Sequence, residues 1–291
     1  MTYHGEGDIR RLKLFEWSII GYLGFKSILI CIFCNAIEDW PDLILVNLVG
    51  VAVILLISLQ KNKARAFRWF RDWYIFLAIP LIFRGLTPLS YMVFGRHFTK
   101  TIIELEEAIF GSQPSIWLAD LVDNRLITEV FSFFYLSYFL IFLSMAIALY
   151  RLPDKYKFEH YKFAVTISFL SNFIIYMFFP VEGPCWVFPE ASIETLNGYF
   201  ITDMVVAVQG QGVTTAAFPS SHVSLAIVAL FYAFKYEPKL ARFLTFFVVM
   251  LIPSTVYGKF HFVIDAITGV LWGYLMAEIS WRLFKRYKAI G

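Results

Sequence analysis

Charge is what this sequence has least of. Asp, Glu, Lys and Arg make up 16% of its 291 residues, against about 25% in an average soluble protein. A globule of that length has too much surface to cover with so few charges. Disorder is excluded as well, because 59% of the residues are apolar and unstructured chains are poor in such residues. Nucleic acid is not an expected partner: a binder carries a basic surplus, and the net charge is only +3. Cysteine is scarce, and three in this length rule out a disulfide scaffold. Internal repeats and low-complexity tracts are missing. So are a G-K-S/T phosphate loop and an acidic cluster, and no cofactor, nucleotide or metal is expected. What remains is an all-α integral membrane protein, with the lipid bilayer as its first partner.

A helical crossing takes about 20 mostly apolar residues. Eight stretches qualify: 17–36, 43–60, 74–95, 126–150, 162–180, 222–236, 240–257 and 261–283. The first is too long for the apolar part of a signal peptide, and no A-x-A-like site follows it.

Lys and Arg fix the expected orientation. With the N-terminus inside, the cytoplasmic segments carry Arg10, Arg11 and Lys13; Lys61, Lys63, Arg65, Arg68 and Arg71; Arg151, Lys155, Lys157 and Lys162; Lys235, Lys239 and Arg242; and Arg282, Lys285, Arg286 and Lys288. That makes 19, against four on the other side: Arg96, Lys100, Arg125 and Lys259. Such a split follows the positive-inside rule. It requires an even number of crossings and places both termini in the cytoplasm. A bacterial inner membrane is the expected setting, with the active site on its periplasmic face; in another cell that face is extracellular or lumenal. On the outer side, 101–110 is amphipathic and suited to lying along the membrane surface. Residues 181–221 lack Lys and Arg and are rich in Gly, Pro and aromatics. A long loop that is not low-complexity is often functional.

Two of the five His stand at informative places. His222 opens the sixth stretch in F-P-S-S-H, and His261 opens the eighth in Y-G-K-F-H-F-V-I-D. Two crossings separate them, so both emerge at the same outer face. Asp265 follows His261 by one helical turn, on the same helix face. An Asp can hold one imidazole nitrogen as N–H and leave the other with a free lone pair. Such a ring can attack phosphorus, and a second His can protonate the leaving oxygen. Ser220 and Ser221 lead into a helix start, where free backbone N–H groups bind anions. Two His and one Asp are also a possible set of metal ligands, or simply interfacial and packing residues.

Together these residues resemble the type-2 phosphatidic acid phosphatase superfamily, whose second and third signatures read P-S-G-H and S-R-x5-H-x3-D. Pro219, Ser220 and His222 match the second; Ser254, His261 and Asp265 match the third at its spacing. F-P-x-x-G-P, here Phe179, Pro180, Gly183 and Pro184, and R-D-W at 71–73 are similar to the branch related to inositol phosphorylceramide synthases. The resemblance implies a six-helix catalytic core at 74–291, preceded by a segment 1–73 with two additional helices. It implies His261 as nucleophile, Asp265 as its orienting partner, His222 as general acid and later base, and Ser220 as a phosphate ligand. Gly183, Pro184 and Tyr257 are then expected at the substrate pocket. The substrate is a lipid phosphate or lipid pyrophosphate. Attack by water makes the protein a phosphatase; attack by an alcohol makes it a phosphotransferase.

Two basic signatures depart from the pattern. K-x6-R-P has no counterpart, and the Arg of S-R is Thr255. Where an Arg often follows G-P, this chain has Cys185. A transferring phosphoryl group needs cationic stabilisation, which leaves Lys259 and Arg84 as candidates beside Ser220 and Ser221. The lost cations also leave open a non-catalytic protein on the same scaffold.

Overall fold

A computed structural model describes residues 12–60, 64–121, 124–210 and 212–290. Arg10, Arg11, Lys61 and Lys63 of the basic count lie outside the described residues. The chain forms α1 (Leu14–Ile32), α2 (Trp40–Leu59), α3 (Arg65–Arg84), α4 (Thr99–Phe110), α5 (Pro114–Leu121) and α6 (Arg125–Arg151), then α7 (Lys155–Phe178), α8 (Pro184–Val187), α9 (Phe200–Gln209), α10 (Ser221–Tyr236), α11 (Pro238–Tyr257) and α12 (Val263–Ile290). Among the described residues there is no sheet, only an isolated bridge between Val181 and Ala216. The all-α membrane class expected from composition is the one observed.

Among the described residues, six helices are long and apolar enough to cross a membrane: α1, α2, α6, α7, α11 and α12. That is fewer than the eight stretches the sequence offers. The third, expected at 74–95, is in fact Arg65–Arg84. Gly85, Pro88 and Gly95 break the later half, while the earlier half carries Arg65, Arg68, Arg71 and Asp72. The sixth, α10, has only 16 residues. Arg84 therefore sits at the end of α3, not halfway along a crossing.

Helix starts follow ordinary capping. Asn124 accepts the N–H groups of Leu126 and Ile127 ahead of α6. Asp154 accepts that of Tyr156 ahead of α7. The R-D-W segment ties α3 to its neighbours. The Arg71 guanidinium meets the Glu16 carboxylate at 3.0 and 2.9 Å. Asp72 and Glu159 flank Lys13 at 2.8 and 2.9 Å, and Glu159 also takes Lys162 at 3.0 Å. Glu16, Arg71 and Lys162 are buried, where a charge persists only when paired, so the network ties α1, α3 and α7 together.

At the centre, α10 packs on α6, α7, α11 and α12. Its approach to α12 is close because α12 offers glycines. A Cβ at Gly273 would lie 2.3 Å from the Ser224 carbonyl oxygen, and one at Gly269 would lie 2.8 Å from that of Ser220. Small residues at such a crossing let two backbones touch. This contact holds the start of α10, with His222, against the start of α12, with Asp265.

Candidate active site

P-S-S-H is fixed from several sides. Ser220 is fully buried and is the N-cap of α10, with its hydroxyl 3.4 Å from the Val223 nitrogen. Its own N–H donates to the Asp265 carbonyl oxygen at 3.0 Å. The Tyr176 hydroxyl donates to the Pro219 carbonyl oxygen at 2.9 Å.

His261 lies in the loop between α11 and α12. Its Nδ1 is 2.9 Å from the Ala217 carbonyl oxygen and 3.6 Å from Asp265 Oδ2. The first is a hydrogen bond and the second is beyond one. The carbonyl can only accept, so Nδ1 carries the proton and Nε2 keeps its lone pair. The main-chain oxygen thus sets the tautomer that the sequence pattern assigns to Asp265. Asp265 Oδ2 accepts the Phe262 N–H at 2.8 Å instead. Burial holds the His261 imidazole below its ordinary pKa, at about 4, while its bond to Ala217 works the other way. The ring is neutral at pH 7. His222 faces it, with ring centroids 5.8 Å apart.

Both rings open on a cavity of about 400 Å³. Gly183, Ser221 and Arg84 line it too, and Phe76, Phe83, Phe142 and Phe173 belong to its apolar lining. Arg84 is its one lining Lys or Arg among the described residues. Ser220 and Asp265 lie behind the lining.

Three expected site residues stand elsewhere. Lys259 is the largest departure. Its backbone is left-handed, with φ of 62°, which turns the side chain into the outer loop. The ammonium donates to the Glu190 carbonyl oxygen at 3.1 Å and to Thr195 Oγ1 at 3.2 Å. It holds that loop and does not line the cavity. Tyr257 is also away from the cavity: its hydroxyl is 2.7 Å from Thr128 Oγ1 and its ring stacks on Phe131 at 4.3 Å. Pro184 is buried at the first position of α8.

Gly183 does line the cavity, and it has no room for a side chain. A Cβ there would sit 2.3 Å from the Phe260 carbonyl oxygen, one residue before His261. Gly183→Ala should therefore push His261 off its place. We expect a stability loss of about 1–3 kcal/mol, typical of overpacking, together with lower turnover, both readable by denaturation and assay in detergent.

Two groups near the site escape the sequence pattern. Tyr135 and Gln209 line the cavity, but their neighbours in sequence give no sign of it. Glu106 has a signal, an acidic residue one turn after Ile102 on the inner face of the amphipathic stretch. It is fully buried and accepts the Ile264 N–H at 3.2 Å, capping α12 from outside. Burial pushes its carboxyl up to about 7, against the pull of the Ile264 and Val263 backbone hydrogen bonds. Among the described residues no group of three or more His, Cys, Asp or Glu is placed to hold a metal ion.

A family model described as the PAP2 superfamily matches residues 100–279. No curated protein and no solved structure matches the chain. The matched span runs from α4 into α12, takes in His222, His261 and Asp265, and covers well over half of the sequence, so the chain belongs to the PAP2 superfamily.

Proposed function

We propose that the protein is a membrane-embedded lipid phosphate phosphatase that works through a phosphohistidine on His261. Family membership supports a phosphatase-type activity on lipid phosphates in general. The observation that carries the finer reading is the bond from His261 Nδ1 to Ala217, which leaves Nε2 as the nucleophile in a cavity shared with His222 and Arg84.

In the first step the Nε2 lone pair attacks phosphorus, and the leaving oxygen departs with the electron pair of its bond. The ring gains positive charge, which the Asp265 carboxyl 3.6 Å away offsets. Arg84 balances the equatorial oxygens. Ser221, the first residue of α10, lines the cavity beside the two rings, so the helix start faces the phosphate. His222 serves the leaving-group side. Water then attacks the phosphohistidine and releases phosphate. The apolar wall beyond the two rings accommodates acyl or prenyl tails.

The deciding experiment incubates the purified protein with lipid phosphates and lipid pyrophosphates, with and without alcohol acceptors. Phosphate release without an acceptor is expected. Headgroup transfer to the alcohol with no phosphate release would make it a phosphotransferase. Inertness toward the whole panel would leave a non-catalytic member of the family.

On this reading both termini are cytoplasmic and the site is on the outer face, which the excess of basic residues on one side supports. In a background with Cys31 and Cys34 replaced by Ser, a cysteine at the exposed Asn197 should react with an impermeant reagent on intact cells. One at the exposed Lys239 should not. The reverse pattern inverts the orientation.

A further inference from the structure

Helix α9 turns its apolar stripe outward. Thr202 and Val205 are buried, while Phe200, Met204 and Val208, one turn apart on the opposite face, are 74, 44 and 51% exposed. Its one charged residue, Asp203, stands in the first turn.

Two counts give the depth of this stripe. A crossing takes about 20 residues. Counted from Arg151 at the far end of α6, that length ends near residue 131, so Tyr135 lies about 6 Å inside the boundary on the site's side, at 1.5 Å per residue. Helix α10 has 16 residues. It is about four short of a crossing, so its start at Ser221 lies about 6 Å inside as well. The counts are independent and they agree: the two helices meet there, with the Tyr135 hydroxyl 3.1 Å from His222 Nε2.

α9 passes through that boundary along α6. At its upper end Glu129 accepts the Tyr199 N–H at 2.8 Å, and the Arg125 guanidinium lies 4.6 Å over the Tyr199 ring. Charged and aromatic groups of this kind belong at headgroup level. In between, the Ser132 and Thr202 hydroxyls are 3.0 Å apart. At the lower end the Gln209 amide donates to the Tyr135 oxygen. From Glu129 to Tyr135 is six residues of α6, or about 9 Å, within the depth to which an amphipathic helix enters a bilayer. Beyond α9, residues 212–219 contain no helix, and Gly212, Val213 and Thr214 among them line the cavity. Irregular backbone at membrane depth is tolerated where it lines such a cavity.

We propose that α9 is inserted in the leaflet on the site's side, with Phe200, Met204 and Val208 against acyl chains, and that it forms the rim beneath which a lipid phosphate reaches the two His. Val208 and Gln209 line the cavity at this rim, and Phe139, one turn below Tyr135 on α6, lines it from beneath. What passes under the rim rests on the lipid phosphatase reading above; where α9 lies does not.

The test uses the whole protein in phosphatidylcholine vesicles, with Cys31 and Cys34 replaced by Ser. Nitroxides are attached singly at Asn197→Cys, Phe200→Cys, Met204→Cys and Val208→Cys, all at exposed positions. Oxygen concentrates in hydrocarbon, whereas a nickel chelate stays in water. The ratio of their collision rates should rise from Asn197 through Met204 to Val208. A ratio at Met204 and Val208 as low as at Asn197 would put α9 in water and overturn the proposal. Met204→Glu tests the rim, since a carboxylate there draws the helix toward water. Turnover of a long-chain lipid phosphate in the vesicles should fall by about tenfold, because a charge facing lipid is costly. Turnover of a short-chain, water-soluble phosphate ester should stay near the native rate, and Met204→Leu should restore both. Equal losses on both substrates, or none on either, would remove the rim. A native protein inert toward every lipid phosphate, yet with the same rise in collision ratio, would instead remove the phosphatase reading and leave α9 in the bilayer.

Discussion

His261→Ala should be inert toward every lipid phosphate that the native protein turns over, and it should take up no covalent phosphate. The expected loss is on the order of 10⁶, the size seen when a covalent catalytic unit is broken. The label should be acid-labile and base-stable in the wild type and absent in the variant. The bond from Nδ1 to Ala217 also anchors the loop, so His261→Ala by itself confuses chemistry with position. His261→Asn separates them. Its side-chain amide can still donate to the Ala217 carbonyl, yet it has no ring nitrogen to attack phosphorus. It should fold, resist detergent denaturation like the native protein, and remain unlabelled. A labelled, active His261→Asn would remove His261 from the nucleophile's place.

Arg84→Met should lower turnover by about 10²–10³, comparable to losing one donor to a developing oxyanion. Arg84→Lys should recover part of it, as a point charge without the two-pronged geometry of the guanidinium. Lys259→Met is the contrast. Its ammonium is buried and spent on Glu190 and Thr195, so the expected effect is a destabilised outer loop, at about 1.5–3 kcal/mol per hydrogen bond from a charged group, with turnover within about tenfold. Kinetics of both variants on one lipid phosphate decide between them. A crippled Lys259→Met beside an unaffected Arg84→Met would reverse the assignment.

Most of the helical frame is legible because burial in lipid writes itself as uninterrupted apolar runs. Helices α1, α2, α6, α7, α11 and α12 coincide with such runs. The third helix is misplaced in the sequence because 86–94 is apolar without being α-helical, and Gly85 and Pro88 decide the matter. The two His motifs are legible for another reason: their spacing is local, and each His stands at or just before a helix start, so neighbours in sequence stay close in space. What spacing cannot carry is direction. Lys259 stands two residues from His261, yet a left-handed backbone sends its side chain elsewhere. The Ala217 carbonyl leaves no mark because every residue has one. Tyr135 sits in F-S-F-F-Y-L-S-Y-F, where each ring looks like any other core or lipid-facing aromatic.

The cavity reaches the flank of the bundle as well as its end. Leu77 of α3 and Phe139 of α6 line it, yet they are 72% and 46% exposed. A substrate entering there travels in two dimensions. The quantity that governs saturation is then its mole fraction in the bilayer, not its amount per litre. Adding inert phospholipid at constant total substrate should slow the reaction, and adding buffer should not. Half-saturation will be a property of the surface, and two laboratories using different detergent loads will report different bulk constants for the same protein.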